Sequence, residues 1–270
     1  MSPAMKPFFL SIPHSGERVP SEAKWLQGLS EPILMCDVDR FVDRLYSPVV
    51  EDLRLTCVKT QWHRYVVDLN RLAEDVDQDS VIGSPNASGK FSTGLHWVKT
   101  TRGTTLMAEP ISQALHQQLV QRYFEPFHSD VRDTYEFFRE HGASKIYHLD
   151  AHSMPSKGTA AHRDPGETRA DIVVSDWEGK SCEPSFKDLV IAAYEKTGLK
   201  VRYNWPYLGG RVTQTYGQPD RGQHAIQVEI NRALYMDEET KQFKPEPGRI
   251  LSEKLSQAIR SICEQLPEIK

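Results

Sequence analysis

The sequence is short of several things, and each shortage removes a class of function. Only four cysteines occur, Cys36, Cys57, Cys182 and Cys263, far apart and with no Cys-x-x-Cys pair. That spacing suggests neither a zinc knuckle nor a disulfide framework and reads as reduced thiols of a cytoplasmic protein. The N-terminal apolar run, Phe8 to Ile12, is too short for a signal-peptide core or a membrane span. Basic residues are outnumbered, 33 Lys and Arg against 37 Asp and Glu, and a net charge of −4 is the wrong sign for a general nucleic-acid binder. Gly-x-Ser-x-Gly, phosphate-loop and dinucleotide glycine motifs are all missing, and so are repeats, heptads and low-complexity tracts. What is present is ordinary for a soluble globular chain, 39% hydrophobic and 26% charged over 270 residues, a length that suits one large α/β domain spanning 1–270. The expected setting is the cytoplasm, with neither nucleic acid nor membrane as partner.

Patterning along the chain alternates strands with helices. Phe8 to Ile12 reads as a strand broken at Pro13-His14-Ser15-Gly16, where Gly16 permits a sharp turn. A short polar helix is expected near Ser21 to Leu26. A longer one starts at Asp37, with Val38, Val42, Leu45, Val49 and Leu53 at helical spacing, Asp37 and Asp39 in its first turn, one of them as a cap, and a kink at Pro48. Leu55–Lys59 is a second strand and Arg64–Arg71 a third, whose alternation sets Arg64, Val66, Asp68 and Asn70 on one side. Residues 72–108 form a long irregular excursion, expected to be a functional cover or disordered. A helix from Pro110 to His141 follows, with His128 read as packed beside its apolar stripe rather than catalytic. Then come strands at Ile146–Leu149, Asp171–Ser175, Leu199–Tyr203 and Ala225–Ile230, and helices at Pro184–Thr197 and Gly248–Leu266. This order predicts an α/β protein with a mostly parallel sheet, in which ligands gather at the carboxyl ends of the strands.

Chemistry-bearing residues collect at those ends. In Lys145–Pro155, alternation puts His148, Asp150 and His152 on one face, and a carboxylate two residues from a histidine is what fixes the tautomer of a metal-binding imidazole. His14 and Glu229 end two other strands, while Arg64, Asn70 and Arg71 form a group suited to an anion. A catalytic zinc keeps three nitrogen or carboxylate ligands and one open position, so His14 and His152 are natural nitrogen donors. The third ligand is either Glu17, favoured by its His-x-x-Glu spacing, or Asp39. Glu229 could then accept a proton from the attacking water, and the arginines could neutralise a substrate carboxylate and a developing oxyanion.

The ordered set Pro-His14-Ser-Gly, Asp39 within Asp37–Tyr46, Arg64-Tyr-Val-Val-Asp-Leu-Asn-Arg71, Asp150-Ala-His152-Ser, and Glu229 followed by Tyr235-Met236 resembles the N-formylglutamate amidohydrolase family, over the stretch from about Phe8 to Met236. That family looks like a distant relative of the zinc carboxypeptidases, whose Asp-x-Asn-Arg segment Asp68–Arg71 matches. The resemblance implies a single-domain, three-layer α/β/α fold with a mixed, mostly parallel sheet, and a zinc held by His14, Asp39 and His152. It implies Glu229 as general base, Arg64 at the oxyanion, Asn70 and Arg71 on the α-carboxylate, and Asn204 and Tyr207 lining the pocket. The implied reaction splits N-formyl-L-glutamate, a small anionic N-acyl amino acid, into formate and L-glutamate. The alternatives are a metallo-carboxypeptidase or deacylase acting on another N-acyl amino acid or peptide, or a module that only binds an acidic metabolite. Arg211, Arg102 or Arg221 would have to meet a second substrate carboxylate.

Overall fold

The computed structural model describes residues 5–268. Six strands, β1 (Phe8–Ile12), β2 (Thr56–Lys59), β3 (Ile146–Met154), β4 (Ile172–Ser175), β5 (Val201–Tyr203) and β6 (Gln223–Asn231), form one sheet in the order β2-β1-β3-β6-β4-β5. Every neighbouring pair is parallel except β4 and β6, which run antiparallel. The mixed, mostly parallel sheet read from the sequence is therefore present. Among the described residues seven α-helices accompany it: α1 (Glu31–Leu34), α2 (Val42–Leu53), α3 (Gln113–Leu119), α4 (Glu125–Glu140), α5 (Pro184–Lys196), α6 (Arg211–Tyr216) and α7 (Pro245–Gln265).

The central strands β1, β3 and β6 are buried at every residue. On one face Tyr147, Leu149 and Ala151 of β3 pack with Val42 and Leu45 of α2, Val190 of α5 and Leu255 and Ile259 of α7. On the other, Phe9 and Ile146 pack with Phe127, Val131 and Phe138 of α4 and with Val66 and Leu95. Each such fully buried aliphatic or aromatic side chain contributes about 1.5–3 kcal/mol. Helices thus cover both faces, in three layers. The polar members of β3, His148, Asp150 and His152, share the α4 face and are fully or almost fully buried. Residues 72–108 are irregular, as expected, yet they supply Leu95, Trp97, Leu106 and Met107 to the second core. Among the described residues no helix is long and apolar enough to cross a membrane.

Three expectations fail. Arg64–Arg71 is a run of turns, not a strand. The Asp68 carboxylate accepts the Asn70 N–H at 2.9 Å, the Arg71 N–H bonds the Asp68 carbonyl at 3.1 Å and the Val66 N–H the His63 carbonyl at 2.9 Å. These local bonds occupy groups that a sheet ladder would need. The helix expected from Asp37 begins only at Val42, because Phe41 takes a left-handed conformation (φ 70°) just before it. Neither Asp37 nor Asp39 caps it. The predicted Pro110–His141 helix is two, α3 and α4, joined by a widened turn at Val120–Phe124.

Candidate active site

β1 ends at Ile12 and the chain turns at once, which brings His14 to the carboxyl edge of the sheet. Gly16 is required there, since a Cβ on it would lie 2.4 Å from the Trp62 carbonyl oxygen. His14 is 2% exposed, and its carbonyl accepts the Asp39 N–H at 3.0 Å, which ties the Asp39 turn to β1. The β3–β6 register places His152 directly beside Glu229 and Asp150 beside Gln227. His14, Asp39 and His152, all buried, thereby offer one ligand atom each within 4.8 Å of one another. The two imidazoles lie with ring centroids 4.9 Å apart.

Carboxylates behind the rings set their tautomers. His14 Nε2 faces Asp68 Oδ1 at 2.8 Å and His152 Nε2 faces Asp150 Oδ2 at 2.7 Å. Both Nε2 atoms therefore donate, and both Nδ1 atoms turn towards Asp39 Oδ2, at 3.4 Å from His14 and 3.0 Å from His152. The His14 contact lacks hydrogen-bond geometry, and its Nδ1 is a buried nitrogen with no partner. Such an orphan costs about 1–3 kcal/mol unless something binds it. Two imidazole nitrogens and a carboxylate oxygen brought to one point match the donor set of a catalytic metal site that keeps an open position, so the residues fit a metal ion.

Charge is distributed to match. Burial alone would raise the Asp39 carboxyl, but the flanking His14 and His152 outweigh it and hold its pKa well below the usual range. Arg232 adds an ion pair to Asp39 Oδ1 at 2.9 Å. For Asp68, too, burial pushes up, and Arg64 and His14 override it, so this carboxylate is well below its ordinary value. Glu229 goes the other way: burial lifts its pKa, with His152 opposing. Gln227 Nε2 donates to Glu229 Oε1 at 2.8 Å.

His14, Asp39, His152, Gln227, Glu229 and Arg232 line a cavity of about 320 Å³, with Asp68 and Asp150 behind its wall. A groove of about 1060 Å³ between α2 and α7 is larger but brings no histidines together. Arg64 reaches the cavity with Nη1 on the Asp37 carbonyl and Nη2 on Asp68 Oδ2, each at 2.8 Å, and its guanidinium over the Trp97 ring. Asn70 is fixed by the Val212 N–H at 2.8 Å, and a Cβ on Gly210 would fall 2.0 Å from its Nδ2. Arg71 bonds the Thr93 carbonyl at 2.8 Å, and it has no carboxylate partner among the described residues. Tyr207 also lines the cavity.

Two sequence readings need correction. Asn204 does not line this cavity: its amide spans Asp176, donating to Oδ1 at 3.0 Å and accepting the Asp176 N–H at 3.1 Å, and so it shapes a turn. Glu17, favoured by spacing, pairs instead with Arg40 at 2.8 Å, and its side chain is 38% exposed. His128 packs on Phe124 and Phe127, as expected, and hydrogen-bonds the Tyr216 hydroxyl at 2.9 Å. Sequence reasoning missed Asp68 and Arg232 as supports. Asp68 had a signal, since His14 needed a carboxylate behind it; Arg232 had none.

The model of the N-formylglutamate amidohydrolase family matches residues 6–236. N-formylglutamate deformylases of Pseudomonas putida and Pseudomonas aeruginosa are each 29% identical to this chain, covering 94% and 86% of it and 92% and 83% of their own lengths. The crystal structure of N-formylglutamate amidohydrolase from Ralstonia eutropha JMP134 is 27% identical and superposes with a TM-score of 0.86, over 98% of this chain and 95% of that one.

Proposed function

The chain belongs to the N-formylglutamate amidohydrolase family, and on that premise we propose that it is a zinc-dependent amidohydrolase that converts N-formyl-L-glutamate to formate and L-glutamate. The observation that carries the metal reading is His14 Nδ1, a buried and unpartnered nitrogen facing Asp39 and His152. A zinc ion held by His14, Asp39 and His152 would supply Lewis acidity towards the formyl oxygen and a lowered pKa for water.

The remaining work falls to the chain's own groups. Glu229, its carboxyl raised by burial, takes a proton from the attacking water and delivers it to the amide nitrogen as the C–N bond breaks. Gln227 holds one Glu229 oxygen, which aims the other. Arg64, clamped between Asp37 and Asp68, presents a fixed positive charge where the oxyanion develops. Arg71, with Asn70 beside it, takes the α-carboxylate in the planar two-point contact that guanidinium favours. The four cysteines are free, which suits the reducing cytoplasm.

The test is Glu229→Gln in zinc-loaded protein. Formate release should fall by about 10²–10⁴-fold while the metal stays bound. Turnover near the wild-type rate would remove Glu229 from this role.

A further inference from the structure

We propose that His162 and Tyr207 form the subsite for the side-chain carboxylate of the substrate, so that Arg71 reads one carboxylate and two neutral donors read the other. This rests on the amidohydrolase reading above.

Counting the arginines at the cavity leads there. Arg64, Arg71 and Arg232 line it. Arg232 spends its guanidinium on Ser153, Asp39 and the carbonyls of Cys36 and Asp37. Arg64 bonds Asp37 and Asp68 and is assigned to the oxyanion. Arg71 alone is free for a carboxylate. The arginines that the sequence offered for a second one point elsewhere: Arg211 bonds Gln214 at 3.0 Å, Arg221 bonds Gln218 at 3.0 Å, and Arg102 is outside the lining. Thr101, also at the cavity, gives both its N–H and its hydroxyl to Asp37.

His162 and Tyr207 line the same cavity, with rings edge-on and centroids 6.2 Å apart. The Thr159 N–H donates to His162 Nδ1 at 3.0 Å, so Nδ1 is an acceptor and the ring proton sits on Nε2. Burial, with Arg169 nearby, lowers the His162 pKa. Arg169 Nη1 donates to the Tyr207 hydroxyl at 2.9 Å, which leaves the phenolic proton available to a ligand. Both donors are held firmly. Asp164 grips Arg169 at two points, 2.7 and 2.8 Å, and Glu238 accepts both the N–H and the hydroxyl of Ser156. Gly158 packs so closely that a Cβ would fall 1.9 Å from the Asp164 carbonyl oxygen. A site built from placed hydrogen-bond donors discriminates strongly against an analogue lacking the acceptor.

The experiment measures kcat/KM for N-formyl-L-glutamate and N-formyl-L-norleucine in the wild type, His162→Ala and Tyr207→Phe. Tyr207→Phe removes only a hydroxyl and keeps the test open should His162→Ala fail to fold. The wild type should prefer the glutamate substrate, and each variant should lower the glutamate-to-norleucine ratio tenfold or more, with partial recovery in His162→Asn, which restores an N–H donor. A ratio that stays within threefold of wild type overturns the subsite, since a purely structural role would depress both substrates alike. A wild type that cleaves N-formyl amino acids without preferring glutamate also overturns it and leaves the amidohydrolase reading standing. No cleavage of either substrate sinks that reading and the subsite with it.

Discussion

Asp68→Asn isolates the support behind the site, because Asp68 stands outside the cavity lining and acts only through its neighbours. Its Oδ1 accepts from His14 Nε2 at 2.8 Å and the Asn70 N–H at 2.9 Å, and its Oδ2 from Arg64 Nη2 at 2.8 Å and Trp97 Nε1 at 2.9 Å. In the D68N protein one of these oxygens becomes an NH2 group that must face two donors. Keeping Oδ1 for His14 and Asn70 turns the NH2 against Arg64 and Trp97, and Arg64 loses the carboxylate nearest to it. Removing one partner of a buried ion pair costs about 3–5 kcal/mol. In a chain of this size that lowers the melting temperature by roughly 6–20 °C. His14 also loses a charged acceptor, and losses of that kind weaken metal binding about 10–100-fold. Thermal melts of apo and zinc-loaded protein, with a chelator-competition titration, measure both effects. A D68N protein that melts within about 2 °C of wild type and binds zinc within twofold would show that Asp68 supports neither His14 nor Arg64.

Three more outcomes follow from the same contacts. Arg71→Ala should raise KM about 10–100-fold for N-formyl-L-glutamate and much less for its α-amide, in steady-state kinetics with the paired substrates; equal losses on both would detach Arg71 from the α-carboxylate. Gly210→Ala forces Asn70 aside, because the added Cβ would lie 2.0 Å from Asn70 Nδ2, and urea titration should record a loss of about 1–3 kcal/mol. Acid sensitivity is the third: burial pushes the pKa of His96 down from 6.5 to about 4, so between those values the unfolded chain binds a proton that the folded one refuses. Stability should then fall as pH drops below about 6.5, with this one residue accounting for about 2 kcal/mol at pH 5. His96→Gln should shrink the pH 7 to pH 5 difference in urea stability by that amount, and an unchanged difference would contradict the assignment.

Much of the scaffold was legible because the buried central strands and amphipathic helices write their period plainly, as in Phe8–Ile12 and α7. The misread segments are those where side chains compete with the backbone. Arg64–Arg71 alternates like a strand, but Asp68 bonds the backbone two residues on and curls it. Asp39 looked like part of a helix, whereas the left-handed Phe41 delays the helix and leaves Asp39 free to meet both histidines. Asn204 shares a loop with Tyr207, yet only Tyr207 turns into the cavity, because Asp176 captures the Asn204 amide. His162 gave no signal, since its place depends on the Arg169–Asp164 pair and on Gly158, contacts that no periodicity encodes.

The most direct measurement is elemental analysis of the purified chain beside His14→Ala and His152→Ala. The wild type should carry about one zinc per chain, as three protein ligands and an open position require, and each variant should lose both metal and formate release while the fold persists by circular dichroism. Full activity in metal-free protein, or wild-type zinc content in both variants, would contradict the zinc assignment.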